Sequence, residues 1–160
     1  MNFIKSPFSW KLVNAVSIAT LIILVVSSFY GFYTNTFYLT KPDNYIIPLL
    51  STIHFLYIYV IGFKIRENEL PDPKMRNLEY ALYAVMIVYA FKVYDGITTL
   101  NSLSGSEEYY LPETFTPAII TISVLYCLII LLTLVSFSIR RRQIGVYNFE
   151  NFNNNLNMWQ

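Results

Sequence analysis

Ionisable side chains inside long apolar stretches are the residues of this sequence whose type and spacing could do chemistry. His54 lies in one such stretch, and Lys92 and Asp95 lie three residues apart in a later one. An ionisable residue inside a membrane span indicates a proton relay or an ion or substrate pathway, unless a partner group neutralises it for structural reasons. Because an i, i+3 spacing places Lys92 and Asp95 on one helix face, we expect them to form an ion pair.

Helical geometry places these residues at similar depths. His54 lies about 15 Å from Asn44, where its stretch begins, and Lys92 lies about 12 Å from Leu100, where the later stretch ends. Helical side chains lean towards the N-terminus, so Lys92 points towards the level of His54. We predict an intramembrane polar cluster of His54, Lys92 and Asp95. Its role is a structural ion pair, a conducting or binding site, or contact with a partner subunit.

The sequence has few residues that could bind a metal, a haem or a redox cofactor. The chain has one His and one Cys, so a haem held between two histidines would need a homodimer or a partner. Tyrosines deep in the stretches are either interhelical ties or the walls of a pocket for a flat ligand such as a quinone. The sequence has no glycine-rich phosphate loop, zinc spacing or nucleophile elbow. We predict no cofactor and no metal, and little supports an enzyme.

The elements that must position these residues are four apolar stretches, at residues 10–33, 45–63, 79–100 and 117–139. Because a helix rises about 1.5 Å per residue, about 20 residues cross a hydrocarbon core of about 30 Å. Charged residues make up only 13% of the chain, against about a quarter in soluble domains. The first stretch is too long for the apolar region of a signal peptide, and we expect a retained span.

Short connections between the stretches predict an all-α, polytopic membrane protein, in which residues 1–142 form four transmembrane helices in an up-down-up-down antiparallel bundle. Most basic residues then fall on one side: Lys5, Lys11, Lys64, Arg66, Lys74, Arg76, Arg140, Arg141 and Arg142. By the positive-inside rule, both termini face the cytoplasm or the equivalent compartment of an organelle. The triple arginine is interpreted as a membrane anchor or a lipid head-group site. A net charge of +1 indicates no nucleic-acid partner.

Prolines mark the predicted starts of helices one, three and four. A capping side chain precedes each proline, at Ser6-Pro7, Asp72-Pro73 and Thr116-Pro117. Proline is tolerated at the first helical position because the N–H that it lacks would have no partner there. The third helix would then begin in water, with Lys74, Arg76 and Glu79 exposed, and would enter the bilayer near Tyr80.

Residues 143–160 form a predicted cytoplasmic tail that is rich in asparagine. Its large apolar residues recur at helical spacing, at Phe149, Phe152, Leu156 and Trp159. Such a stripe needs burial, and interfacial helices usually carry Lys or Arg on their polar face. No Lys or Arg follows Arg142, so docking to a partner protein and disorder are equal alternatives for this tail.

These features favour a small integral membrane protein that acts as a non-catalytic accessory or structural subunit of a larger membrane complex. Its expected partners are the lipid bilayer and either other membrane proteins or further copies of itself. One alternative is a proton- or ion-linked channel or transporter component that uses His54, Lys92 and Asp95. A second alternative is a quinone- or haem-associated subunit of a redox complex.

Overall fold

A computed structural model of the protein describes residues 9–103 and 112–147, and this part of the chain contains four long α-helices. They are α1 (Trp10–Ser28), α2 (Ile46–Glu67), α3 (Pro73–Leu103) and α4 (Phe115–Gln143). Each is long and apolar enough to cross a membrane. The shortest has 19 residues, which corresponds to about 28 Å at the helical rise. The chain is predominantly helical, with the length and composition of a multi-pass integral membrane protein.

The four helices pack in a ring. α1 contacts α2 and α4, and α3 also contacts α2 and α4. The centre of the ring is filled mainly by branched aliphatic side chains such as Leu21, Leu24, Ile61, Leu82 and Ile129, all almost completely buried. The opposite faces of the helices expose many large apolar side chains. A helix that is apolar on all sides is typical of a membrane span.

α1 ends at Ser28, five residues before the end of the first apolar stretch. A short antiparallel hairpin follows, with β1 (Tyr30–Gly31) paired to β2 (Thr36–Phe37). The Ser28 hydroxyl lies 2.7 Å from the Val25 carbonyl and 3.0 Å from the Asn44 carbonyl and shares its hydrogen between them, so it links the end of α1 to the segment before α2. The hairpin residues are rich in Phe and Tyr, and so are the interfacial ends of membrane helices. Hydropathy alone therefore does not show that the helix ends before this segment.

The start of α3 is as predicted, at Pro73, and the Met75 N–H donates to Asp72 Oδ1 at 2.7 Å. α4 begins at Phe115, two residues before Pro117. Pro117 is tolerated there because the N–H groups of the whole first turn have no partner within the helix. The pair Ser6-Pro7 lies outside the described residues.

Candidate functional site

A buried ion pair joins α3 to α4 close to the α2–α3 loop. Arg140 donates from Nε and a terminal nitrogen to the two carboxylate oxygens of Glu79, at 2.6 and 2.8 Å. The side chains of Arg140 and Glu79 are only 7% and 6% exposed. A two-point contact of this kind combines charge attraction with a fixed geometry. Loss of either partner would leave a buried charge unpaired.

Three further groups hold this ion pair in place. The Tyr57 hydroxyl donates to Glu79 Oε1 at 3.1 Å, and Arg140 donates to the Gly145 carbonyl at 3.0 Å. The positive φ of Gly145, +113°, lets the chain turn back over the end of α4. The Tyr147 ring then lies 4.3 Å from the Arg140 guanidinium. Burial and the nearby Glu79 carboxylate raise the pKa of the Tyr147 phenol above its usual value.

The prediction of an exposed Glu79 is wrong. Glu79 is buried inside the ring of helices, where it forms an ion pair with Arg140. Arg140 is buried, whereas Arg141 and Arg142 are exposed. Consecutive helical residues lie about 100° apart around the axis, so three adjacent arginines cannot share one environment. The anchor or head-group interpretation stays a prediction for Arg141 and Arg142.

One sequence signal could have revealed the burial of Glu79. Met75, Glu79, Leu82 and Tyr89 recur at spacings of four, three and seven residues, which place them on a single helix face. All four are buried. A carboxylate on an otherwise apolar face indicates a buried partner.

A second ion cluster holds the α2–α3 loop. The Lys64 ammonium lies 3.2 Å from a Glu69 carboxylate oxygen and 3.1 Å from an Asp72 oxygen. Lys64 also donates to the Leu70 carbonyl at 3.1 Å. Burial acts to raise the pKa of Asp72, but the Met75 N–H and the Lys64 ammonium outweigh it, so this pKa lies below its usual value. Lys64 therefore links the end of α2 to the cap of α3.

His54 is enclosed by protein, with 1% of its surface exposed. Its Nε2 lies 3.3 Å from the Thr133 hydroxyl, which is 2.6 Å from the Ile129 carbonyl and donates to it. A hydroxyl has one hydrogen, and the shorter contact shows that the Thr133 hydrogen points to the Ile129 carbonyl. The Thr133 oxygen is then the acceptor for His54, so we assign the hydrogen of the neutral imidazole to Nε2. Nδ1 is then an acceptor, and it has no hydrogen-bond partner within the described ranges.

Buried polar and aromatic groups extend from His54 towards α4. The hydroxyls of Ser51 and Tyr89 lie close together but have no well-formed hydrogen bond to a described residue. The Tyr89 ring stacks near His54 with centroids 6.2 Å apart, and it lies 5.7 Å from the Tyr126 ring. Tyr126 lines a cavity at the hairpin end of the ring, so the rings of Tyr89 and Tyr126 lie between His54 and that cavity.

The cavity has a volume of about 440 Å³ and receives side chains from all four helices. Its charged lining residues are Lys92 and Asp95 of α3 and Asp43, which precedes α2. Hydroxyl groups such as that of Ser123 and aromatic rings such as that of Phe115 complete the wall. Ligand pockets in proteins typically measure about 300–1,000 Å³, so this cavity can hold a small organic group.

Lys92 and Asp95 share this cavity but do not form the predicted ion pair. Across residues 9–103 and 112–147, neither side chain forms a salt bridge or a hydrogen bond. His54 does not line the cavity. The structure therefore separates the three residues of the predicted cluster. Lys92 and Asp95 line the cavity, whereas the His54 imidazole is enclosed, with the rings of Tyr89 and Tyr126 between it and the cavity.

The apolar stripe of the tail, Phe149, Phe152, Leu156 and Trp159, lies outside the described residues. Its role in partner docking stays a prediction.

Comparisons of this chain with protein-family models, with curated proteins and with solved structures find no match. Function is therefore inferred from the side chains and contacts of the chain itself.

Proposed function

We propose that this protein is a four-span integral membrane protein with an up-down-up-down antiparallel bundle and both termini on the cytoplasmic or equivalent side. The distribution of charge supports this orientation, because Lys64, Arg140, Arg141 and Arg142 lie at the end of the ring that holds the buried ion pair. In this orientation the ion pair lies near the cytoplasmic surface. The cavity, here called the outer cavity, opens towards the opposite side.

Within the membrane the protein acts as a non-catalytic accessory subunit of a larger complex. The observation that carries this proposal is the environment of Tyr59. Its side chain is 69% exposed and lies about 4 Å along the axis from the middle of α2. No group in the described part of the chain forms a hydrogen bond with its phenol.

Lipid tails offer no hydrogen-bond acceptor to a phenol at this depth. A tyrosine that faces the hydrocarbon core therefore gains from a neighbouring transmembrane helix that supplies an acceptor. The exposed Tyr59 phenol therefore favours contact with other membrane subunits or with further copies of this chain.

Purification of the tagged chain from its own membrane in mild detergent tests this proposal. We expect a stoichiometric membrane-protein partner or a defined homo-oligomer. Tyr59→Phe should lower retention of that partner about threefold or more, since an interhelical hydrogen bond contributes about 0.6–2 kcal/mol. Tyr33→Phe is the matched control, because the Tyr33 phenol is exposed outside the four helices.

A monomer without a stoichiometric partner would contradict the accessory-subunit proposal, as would equal retention in Tyr59→Phe and the native chain. Deletion of residues 149–160 tests the tail separately, and loss of the partner is expected if the tail docks it. A copurifying pigment with an absorbance band would favour the redox-complex alternative.

A second candidate function is a proton- or ion-linked channel or transporter component. It is favoured by the charges of Lys92 and Asp95 at the outer cavity, which form no ion pair with a described residue, and by the aromatic rings that lie between the cavity and His54. We expect Lys92→Met to abolish ion flux in liposomes that contain the purified assembly, while assembly itself is unchanged. Lys74→Met is the control, because Lys74 is exposed on the same helix and does not line the outer cavity. Flux that survives in Lys92→Met would exclude this function for Lys92.

A further inference from the structure

We infer that the outer cavity binds a zwitterionic group, in which a phosphate or carboxylate is joined by a short linker to an ammonium. Phospholipid head groups and small soluble zwitterions share this chemistry. The inference concerns the isolated chain, so it does not depend on the accessory-subunit proposal or on ion flux.

The anionic part of the ligand would pair with Lys92. Lys92 lines the outer cavity, and its ammonium has no carboxylate partner among the described residues. A charge held in a span without a counter-charge is costly. A bound anion would supply that counter-charge, and the hydroxyls of Ser123 and Tyr126 in the same wall can donate further hydrogen bonds.

The ammonium part of the ligand would meet Asp43 and Asp95. Both residues line the cavity and are exposed, and neither carboxylate forms an ion pair within the described ranges. Aromatic residues such as Tyr30 and Tyr33 line the same cavity, and ring faces attract ammonium groups. Because two carboxylates accompany one ammonium in this wall, we expect a simple anion to bind weakly.

The apolar part of the wall favours an amphiphile. Ile47, Ile119 and Ile122 line the same cavity as the charged groups, so a hydrocarbon segment can follow the head group. The cavity is partly open and lies between the ends of the helices that the proposed orientation places at the outer leaflet.

Lipid binding to the purified full-length chain in detergent micelles tests the inference, with native mass spectrometry as the measurement. The probes are short-chain phosphatidylethanolamine, short-chain phosphatidylglycerol and soluble glycerophosphoethanolamine. We expect phosphatidylethanolamine to bind about tenfold or more tightly than phosphatidylglycerol, because only the former carries an ammonium for the carboxylates. Binding of glycerophosphoethanolamine with equal affinity would identify a soluble zwitterion as the source, and binding of the lipid alone would identify a head group.

Neutral variants locate the site. Lys92→Gln and Asp95→Asn should each weaken phosphatidylethanolamine binding about tenfold. Neither side chain contacts a described residue through an ion pair or a hydrogen bond, so both variants should fold, and a retained helical circular dichroism spectrum would verify this. Lys74→Gln is the matched control at the other end of α3. Equal binding of both lipids, no binding at all, or a preference that survives in both variants would overturn the inference.

Discussion

Glu79 and Arg140 lie 61 residues apart in the sequence, yet they form the most enclosed ion pair in the described part of the chain, through two hydrogen bonds of 2.6 and 2.8 Å. The pair fixes the beginning of α3 against the end of α4. Tyr57 of α2 donates a hydrogen bond to Glu79, which connects α2 to the same ion pair. One side-chain cluster therefore sets the relative positions of three helices near the proposed cytoplasmic surface.

Removal of the Glu79 charge should destabilise the protein strongly. We expect Glu79→Gln to lower the free energy of unfolding by about 3–5 kcal/mol, because Arg140 would stay buried without a counter-charge. Reversible unfolding in mixed micelles, followed by circular dichroism, measures the effect. Glu67→Gln is the control, because Glu67 pairs with Arg66 at the surface, and exposed pairs contribute about 1 kcal/mol or less.

A double variant tests whether Glu79 and Arg140 act as a unit. Glu79→Met combined with Arg140→Met removes both charges and fills the space with apolar atoms. We expect it to be less destabilising than the two single variants added together. Strict additivity would show that the pair does not couple α3 to α4.

The Tyr57 hydroxyl should contribute measurably to the same cluster. Tyr57→Phe removes one hydrogen bond to a charged acceptor, and we expect a loss of about 1.5–3 kcal/mol in the free energy of unfolding. Tyr83→Phe is a matched control, because the rings of Tyr57 and Tyr83 both pack against Phe137. Equal effects of the two substitutions would assign the contribution of Tyr57 to its ring and not to its hydroxyl.

The hydroxyl of Thr133 should be needed for His54 to stay buried. Thr133→Val keeps the shape of the side chain but leaves His54 Nε2–H without its acceptor, so we expect destabilisation of about 1–3 kcal/mol. Thr121→Val is the control, because Thr121 makes the same bond to a carbonyl four residues earlier on an exposed face. If both variants unfold alike, the contact between His54 and Thr133 contributes nothing to stability.

Acid should weaken the α2–α3 connection through Asp72. Its pKa is lowered in the folded protein, so its contribution to stability is present above the unfolded pKa near 4 and is lost as the pH falls through the folded pKa. Asp72→Asn should therefore reduce the pH dependence of the unfolding free energy below about pH 4. Glu113→Gln, exposed at the other end of the ring, should leave that dependence unchanged. An unaltered acid profile in Asp72→Asn would contradict this role.

The sequence predicts the helices better than it predicts their contacts. Four long apolar stretches imply four spans because length and hydropathy are properties of each segment alone. The start of α3 at Pro73 follows from local capping by Asp72 in the same way. The end of α1 at Ser28 could not be predicted, because an aromatic hairpin and an aromatic helix end have the same hydropathy.

Contacts between helices depend on which faces meet, and this limits the prediction of the site. Lys92 and Asp95 are found together at the outer cavity, as their i, i+3 spacing implies, but the spacing does not show whether their charged ends meet. His54 points to Thr133 because of the position of α4, which no local pattern encodes. Arg140 differs from its two arginine neighbours for the same reason.

Cysteine labelling in intact cells or organelles tests the proposed orientation most directly. In a Cys127→Ala background, which removes the one native cysteine, Thr40→Cys probes the segment before α2 and Glu67→Cys probes the end of α2. We predict that a membrane-impermeant maleimide labels Thr40→Cys before lysis and Glu67→Cys only after permeabilisation. Labelling of both positions before lysis, or of Glu67→Cys alone, would contradict the four-span orientation. It would also contradict the assignment of the outer cavity to the non-cytoplasmic side, which depends on that orientation.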